Sequence, residues 1–196
     1  MLLEQAGAPS ITAFRAGNFG ANDDTLRALA AIGVAWDSSV NPAYLGRECG
    51  ITADPAQIGA LTSGQIGALN AIQLAALGTS SIAAFTTEQI TAISGKAIIG
   101  LTTAQISSMS TAQIEAFTPS QVAGMSSAQI AALNVDDLAV FSLEDIASIS
   151  ATGIAGLSTD DITGLSRSQL QAITVPQMEA MNAAQIAAVV SAYEGY

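Results

Sequence analysis

The sequence predicts an all-α fold: a solenoid (superhelix) of very short helices, one per eight-residue repeat, with a small βα N-terminal cap. Three observations lead to this prediction. Residues 54–189 divide into 17 octads without an insertion or deletion; nearly every octad begins with a helix-capping residue; and each carries large apolar residues at two fixed positions. We number the octads 1 to 17 from Asp54 and the positions within each octad 1 to 8. Residues 1–53 precede the array, and residues 190–196 form a C-terminal tail.

Each octad contains the pattern of a helix start. Position 1 is Ser, Thr, Asn or Asp in 16 of the 17 octads, the exception being Gly78, and these side chains cap free N–H groups at a helix N-terminus. Position 4 is Gln in 11 octads and Asp in three more, which completes a capping box. Pro55 and Pro119 occupy position 2, the first helical residue, where a missing N–H costs nothing. The pattern therefore predicts a new helix every eight residues.

The apolar residues of the octad predict how its helix is buried. Positions 5 and 8 are always aliphatic, Met or Phe. Position 8 of one octad and position 5 of the next have the spacing of a hydrophobic staple, which fixes the angle at which the chain enters the helix. Position 7 is small: mostly Ala, with four Gly, two Ser and one Val. Ala favours helix in any case, but this restriction also indicates that neighbouring backbones approach closely here.

Two other folds fit the octad less well. In one continuous helix, eight residues would advance roughly 800°, so the apolar stripe would drift by about 80° per octad and no face would stay buried. In a β-solenoid, positions 5 and 8 would point to opposite faces of a strand. Ala, Gln and Gly are also poor strand formers. Short helices that bend at each junction between position 8 and position 1 remain the prediction.

Composition limits the possible partners and chemistry. The net charge of −11 opposes binding to nucleic acid or to an anionic membrane surface. No apolar run reaches about 18 residues, so no membrane insertion is expected. The N-terminal ten residues lack the basic and apolar regions of a signal peptide. The single Cys49 provides no disulfide framework, and the absence of His removes the commonest general base and metal ligand.

Residues 1–53 do not follow the octad. Residues 11–14 and 34–37 are predicted strands, and residues 25–32 between them are a predicted helix after the capping acids Asp23 and Asp24. Strand, helix and strand in about 30 residues form a βαβ unit. We expect this segment to cover the first octads as an N-terminal cap, because a solenoid end otherwise exposes apolar residues.

Residues 14–42, FRAGNFGANDDTLRALAAIGVAWDSSVNP, resemble a segment from the C-terminal half of polysaccharide deacetylases. The resemblance implies that Arg15 matches a motif arginine that supports the catalytic base, and that Asp37 begins an Asp-Ser-Ser-like strand end. Those enzymes bind a divalent metal through Asp and two His, whereas this chain has no His. Residues 1–53 are also too few for a barrel of roughly 200 or more residues. The absence of His and the short length therefore favour a non-catalytic interpretation of the charged residues in this segment. They are a solvated charge and helix-start acids: Arg15, Asp23, Asp24 and Asp37.

Three acidic pairs, at positions 3 and 4 of octads 11, 12 and 14, are the candidate cation ligands: Asp136-Asp137, Glu144-Asp145 and Asp160-Asp161. Stacked octads would gather their carboxylates, and oxygen-rich clusters bind Ca²⁺. Acids in a first helical turn also interact favourably with the helix dipole, and Asp replaces Gln in the same capping position. We favour this second interpretation, so we predict no metal site, no cofactor and no catalytic residue.

The sequence thus favours a non-enzymatic structural or binding repeat protein that serves as a spacer, adhesive or scaffold segment. The array resembles octapeptide repeats of bacterial surface or secreted proteins, which favours a secreted or cell-surface location. The alternative is a C-terminal fragment of a polysaccharide deacetylase with an accessory repeat module, inactive on its own. Expected partners are a second copy of the chain, a protein or a carbohydrate. Self-association is expected because seven residues after Val189 are too few to present a charged capping helix.

Overall fold

The computed structural model describes residues 61–195, together with the backbone of residues 13–15 and 35–37. Fourteen short α-helices and two 3-10 helices follow one another through residues 61–195, a range that contains no strand. The first eight α-helices are α1 (Ser63–Gly67), α2 (Ala71–Ala76), α3 (Thr79–Ala83), α4 (Thr87–Ala92), α5 (Thr103–Ser107), α6 (Thr111–Glu115), α7 (Pro119–Ala123) and α8 (Ser127–Ile130). The others are α9 (Val135–Ala139), α10 (Leu143–Ser148), α11 (Thr159–Gly164), α12 (Arg167–Ala172), α13 (Val175–Ala180) and α14 (Ala183–Glu194). The 3-10 helices are η1 (Ile98–Gly100) and η2 (Ile154–Gly156).

The helix starts lie where the capping pattern predicts them. Each described α-helix has its N-cap at position 1 in extended conformation, with φ between −63° and −99° and ψ between 154° and 174°. In every described α-helix except α3, the position 4 side chain accepts a hydrogen bond of 2.7–3.1 Å from the N–H of position 1. The extended N-cap bends the chain once per octad. The predicted array of short helices is therefore confirmed.

Octads 6 and 13 form 3-10 helices, and both lack the position 4 acceptor of the capping box. Ser94 and Ser150 still cap, each hydroxyl accepting from the position 4 N–H. Position 4 itself is Ala97 or Gly153, which has no side-chain acceptor to return the hydrogen bond to position 1. Half of the capping box is missing in these two octads, and each forms a turn and a 3-10 helix instead of an α-helix.

Positions 5 and 8 form the core, as predicted. Every described position 8 residue, from Leu61 to Val189, is buried, and so is every described position 5 residue through Leu170. The two exceptions lie in the last octads, where Met178 is 38% exposed and Ile186 is partly buried. Both side chains belong to the last coil that the structure describes.

Helices contact those three octads further along the chain. Helix α1 contacts α4, α7 contacts α10, and α8 contacts η2. Residues that are remote in sequence therefore lie on adjacent coils, the arrangement that lets octads share burial they could not achieve alone.

The C-terminal tail differs from its expected form. Residues 190–194 continue the helix of octad 17, so that α14 spans twelve residues, Ala183–Glu194. The reason lies at residue 190, which would be position 1 of the next octad: it is Val190, which has no side-chain oxygen to cap a new helix. Without a restart signal the helix continues, and the segment presents a longer terminal helix than the sequence led us to expect.

The described part of the N-terminal region consists of two short strands. Strand β1 (Ala13–Arg15) pairs in parallel with β2 (Ala35–Asp37), and Phe14 is opposite Trp36. Both strands lie at or next to the segments where strands are predicted, and parallel pairing is what a βαβ connection requires. The predicted helix at 25–32 and the predicted capping contact with the array lie outside the described residues.

Candidate functional site

The most extensive polar structure in the array is a row of buried glutamines that joins successive coils, which we call the glutamine ladder. It contains the position 4 glutamines of octads 5, 7 to 10 and 15 to 17. Each donates from Nε2 to the position 8 carbonyl oxygen 28 residues earlier, at 2.6–2.9 Å. In octads 7 to 10 and 15 to 17 the same amide also donates to the position 5 carbonyl 31 residues earlier, at 2.7–3.2 Å.

Each ladder glutamine from octad 7 onwards therefore caps two helices at once. Gln121 illustrates the geometry: its Oε1 accepts from the Thr118 N–H at 2.8 Å, which caps its own helix. Its Nε2 donates at 2.7 Å to the carbonyls of both Ile90 and Ile93, at the C-terminal end of a helix one coil earlier. Those carbonyls belong to the last turn, where a helix leaves acceptors without partners. The side chain of Gln121 is 1% exposed, so these hydrogen bonds are shielded from water.

The ladder explains why position 4 is Gln and never Glu. Either residue can accept the hydrogen bond of a capping box, but only an amide can also donate to a carbonyl. The sequence analysis recognised the first role of the glutamine and missed the second. Eleven Gln and no Glu at this position were the signal that could have revealed it.

Coil size follows from the same contacts. Hydrogen bonds between coils join residues 25, 28, 29 and 31 apart. One superhelical turn therefore contains between three and four octads.

Small residues at position 7 bring adjacent coils into backbone contact. A Cβ on Gly100 would overlap the backbone of Ala71, and a Cβ on Gly156 would overlap that of Ser127. In both pairs position 7 lies on position 2 of the octad three repeats earlier. Gly164 makes the corresponding contact with a side chain, since its Cβ would come within 2.5 Å of Val135 Cγ1. The close approach predicted from the sequence is thus confirmed.

The acidic pairs divide into one inward and one outward carboxylate. Asp137, Asp145 and Asp161 are buried and accept a hydrogen bond from the N–H of position 1 in their own octads. Their neighbours Asp136, Glu144 and Asp160 are exposed. No group of three or more His, Cys, Asp or Glu that could hold a metal ion occurs in the described part of the chain. The inward carboxylates therefore act as helix caps.

The three aspartates also interrupt the ladder, because a carboxylate lacks the amide donor and is one methylene shorter than Gln. Asp145 shows the result most clearly. Its Oδ2 accepts from the N–H and hydroxyl of Ser142, at 2.9 and 2.6 Å, while its buried Oδ1 has no hydrogen-bond partner among the described residues. Among the described residues, Asp145 Oδ1 is the one buried side-chain polar atom without a hydrogen-bond partner.

An aromatic contact holds the terminal helix against octad 15. The Arg167 guanidinium lies 5.0 Å from the centre of the Tyr193 ring, and Gln171 Nε2 donates to Tyr193 Oη at 3.2 Å. The hydrogen bond from Gln171, followed by the contact with Arg167, lowers the pKa of the Tyr193 phenol below its usual value. Tyr193 is 41% exposed, so its phenol can exchange its proton with the solvent.

Apolar side chains are also exposed near the C-terminal end of the array. Val175 is 69% exposed and Val190 49%, in addition to Met178 at 38%. Val175 and Met178 are three residues apart on α13 and therefore lie on one face of that helix. None of the helices between residues 61 and 195 has the combination of length and apolar character needed to span a membrane.

Comparisons with known proteins match the array. A family model described as the ALTTAQ repeat is similar to residues 58–95 and 98–127. No curated protein and no solved structure matches the chain. The resemblance of residues 14–42 to polysaccharide deacetylases gains no support from these comparisons. The repeat match and the stacked short helices together identify the chain as a repeat protein of helical, solenoid-like architecture.

Proposed function

We propose that the chain is a non-enzymatic structural or binding array, which serves as a spacer, adhesive or scaffold segment. The glutamine ladder is the observation that carries this proposal. In the ladder, the side chains that cap the helices also form the hydrogen bonds between coils. These polar groups therefore stabilise the array itself. A molecule built in this way transmits its shape from coil to coil.

Stiffness follows from the energetics of the ladder. Bending one coil away from the next would break buried hydrogen bonds and leave their carbonyls without partners, at a cost of about 1–3 kcal/mol for each. It would also open the close contacts at position 7, such as that of Gly156 on the octad 10 backbone. The hydrogen-bond cost applies to octads 5, 7 to 10 and 15 to 17, which carry the ladder. In octads 13 and 14, where the ladder is interrupted, Gly156 and Gly164 still make close contacts with the previous coil. Such repeated contacts are what a stiff spacer of adjustable length requires.

The outer surface is suited to partners other than nucleic acid. Residues 54–189 contain ten acids and only two bases, Lys96 and Arg167. A surface with this charge repels phosphates. The exposed positions are mostly Ser, Thr, Ala and Gly, with few charges, and such a surface suits a second copy of the chain, another protein or a carbohydrate.

Small-angle X-ray scattering on chains of different repeat number tests the spacer role. One or two extra copies of residues 102–133, four octads that all carry Gln at position 4, would be inserted after Leu133. We expect the maximum dimension to increase by the same increment with each copy. An increase that follows the square root of the inserted length, roughly 5–6 Å times that root for a flexible chain, would refute a stiff array.

The non-enzymatic part of the proposal has a separate test. The chain is incubated with acetylated chitooligosaccharide and zinc or cobalt, and free acetate is measured. We expect no release above background. Release that disappears in Arg15→Ala and Asp37→Ala would contradict the proposal, whereas release that persists in both would identify a contaminating enzyme.

A further inference from the structure

The glutamine ladder joins the described octads into two separate blocks. In the first block, residues 61–133, the ladder glutamines run from Gln89 to Gln129, and their described acceptors lie in residues 61–101. In the second block, residues 134–189, the ladder glutamines run from Gln169 to Gln185, and their acceptors lie in residues 138–157. Among the described residues, no ladder hydrogen bond joins one block to the other.

The break in the ladder covers at least one complete superhelical turn. A turn contains between three and four octads, and four consecutive octads, 11 to 14, lack Gln at position 4. In the ladder register, their acceptors would be the position 8 carbonyls of octads 7 to 10, 28 residues earlier. These carbonyls accept no hydrogen bond from any described residue: Met109, Phe117, Met125 and Leu133. A whole coil is therefore joined forward to octads 15 to 17 but not back to octads 7 to 10.

The interface between the two blocks places acceptors opposite acceptors. The buried carboxylates of Asp137, Asp145 and Asp161 occupy the position of the ladder amides. A carboxylate and a carbonyl both accept hydrogen bonds, and neither can donate one. The Oδ1 atom of Asp145 is buried without a partner among the described residues. Opening this interface would admit water, which can donate to these oxygens, whereas opening a coil joined by the ladder would break hydrogen bonds.

Apolar and backbone contacts hold the interface closed. Helix α6 contacts α9, α7 contacts α10, and α8 contacts η2. A Cβ on Gly156 would overlap the backbone of Ser127, so the two coils lie close together there. Residues 102–133 and 134–165 contain no Lys or Arg, so no salt bridge between side chains can join these coils. The closed interface thus depends on packing, without the directional contacts that link the coils within each block.

We propose that the array opens at this interface as a hinge, before either block unfolds. The chain passes from one block to the other at Asn134, an extended N-cap with φ −99° and ψ 174°. Rotation about its backbone would swing the second block away from the first while the ladder in both blocks stays intact. The inference rests on the proposed structural role, and it makes the spacer two stiff blocks connected by one compliant joint.

Distances between pairs of spin labels, measured by double electron–electron resonance over a urea series, test the hinge in the full chain. Cys49→Ser removes the single native cysteine. One labelled pair, Ser120→Cys with Ser168→Cys, spans the interface, and the matched control pair, Ser80→Cys with Ala128→Cys, lies within the first block. All four sites are exposed position 3 residues, and both pairs are six octads apart. Circular dichroism before and after labelling confirms that each variant folds.

We expect the distance distribution of the pair across the interface to broaden first. Its urea midpoint should be lower than that of the control pair by about 1 M or more, given the usual net strength of six or more missing hydrogen bonds and the usual urea slope. Coincident midpoints, or earlier broadening of the control pair, would overturn the hinge. Either result would leave the scattering test of the spacer unaffected.

Restoring the ladder tests its absence as the cause. One triple variant supplies the missing amides: Asp137→Gln, Asp145→Gln and Asp161→Gln. A control triple variant removes the same charge from the exposed neighbours: Asp136→Gln, Glu144→Gln and Asp160→Gln. We expect the first variant to raise the midpoint of the pair across the interface to that of the control pair, and the second to leave the difference in place. Equal shifts in the two variants would assign the weakness to charge and overturn the inference from the ladder.

Discussion

Replacing Asp145 by Gln should stabilise the protein by completing the ladder at octad 12. The carboxylate leaves its buried Oδ1 without a partner among the described residues, and it offers no donor to the previous coil. In the neighbouring ladder positions the amide joins carbonyls 28 and 31 residues earlier. For octad 12 the corresponding residues are Phe117 and Ile114. A glutamine at 145 has the length and the donor to reach both.

The magnitude follows from three contributions. Two new hydrogen bonds contribute about 0.5–1.5 kcal/mol each, and removing an unpaired buried oxygen contributes about 1–3 kcal/mol. Against this, the substitution loses a negative charge in the first helical turn, which is worth about 0.3–1 kcal/mol. The capping bond from the Ser142 N–H, 2.9 Å in the wild type, is retained by the new Oε1. The free energy of unfolding should therefore rise by about 1–6 kcal/mol.

Urea unfolding followed by circular dichroism measures this change. Glu144→Gln removes one negative charge at the exposed neighbouring position and controls for charge. Asp145→Asn controls for reach, since it adds an amide that is one methylene too short for the carbonyls of the previous coil. We expect a higher urea midpoint for Asp145→Gln than for either control. If Asp145→Gln were no more stable than Asp145→Asn, the reasoning from the ladder would be refuted.

Three further predictions follow from the same contacts. Gln121→Ala should lower the free energy of unfolding by about 2–4 kcal/mol, because buried carbonyls lose their donor. Gln65→Ala loses only its local cap, so the free energy of unfolding should fall by about 1 kcal/mol. Equal losses for the two variants in urea unfolding would contradict this prediction. Gly156→Ala should destabilise the protein by about 1–3 kcal/mol, since the added Cβ would overlap the octad 10 backbone. An unchanged Tm in thermal unfolding would show that the coils separate freely. The Tyr193 phenol should ionise below 10.0 in an ultraviolet titration referenced to Tyr193→Phe, and Gln171→Ala should raise its midpoint. The folded state binds the phenolic proton of Tyr193 less tightly than the unfolded state does. The stabilisation that this shift provides is therefore complete above pH 10 and is lost as the pH falls through the Tyr193 midpoint. A midpoint unchanged by Gln171→Ala would contradict the assigned cause.

Much of the architecture was determined by local sequence. Helix starts follow from the oxygen-bearing side chain at position 1, whose contacts span only three residues, as between Thr118 and Gln121. Burial of positions 5 and 8 follows from hydrophobicity and spacing. These features are predictable because each depends on neighbours within one octad.

The tertiary structure alone decided how the octads stack. Hydrophobic positions and caps are compatible with several numbers of octads per coil, because no local contact depends on that number. It is set where a position 4 amide meets carbonyls 28 and 31 residues earlier, and where a small position 7 residue lies on a backbone 29 residues earlier. Such contacts exist only once the superhelix has closed a turn. The second role of Gln121 and the unpaired oxygen of Asp145 both depend on that closure, which an eight-residue pattern does not encode locally.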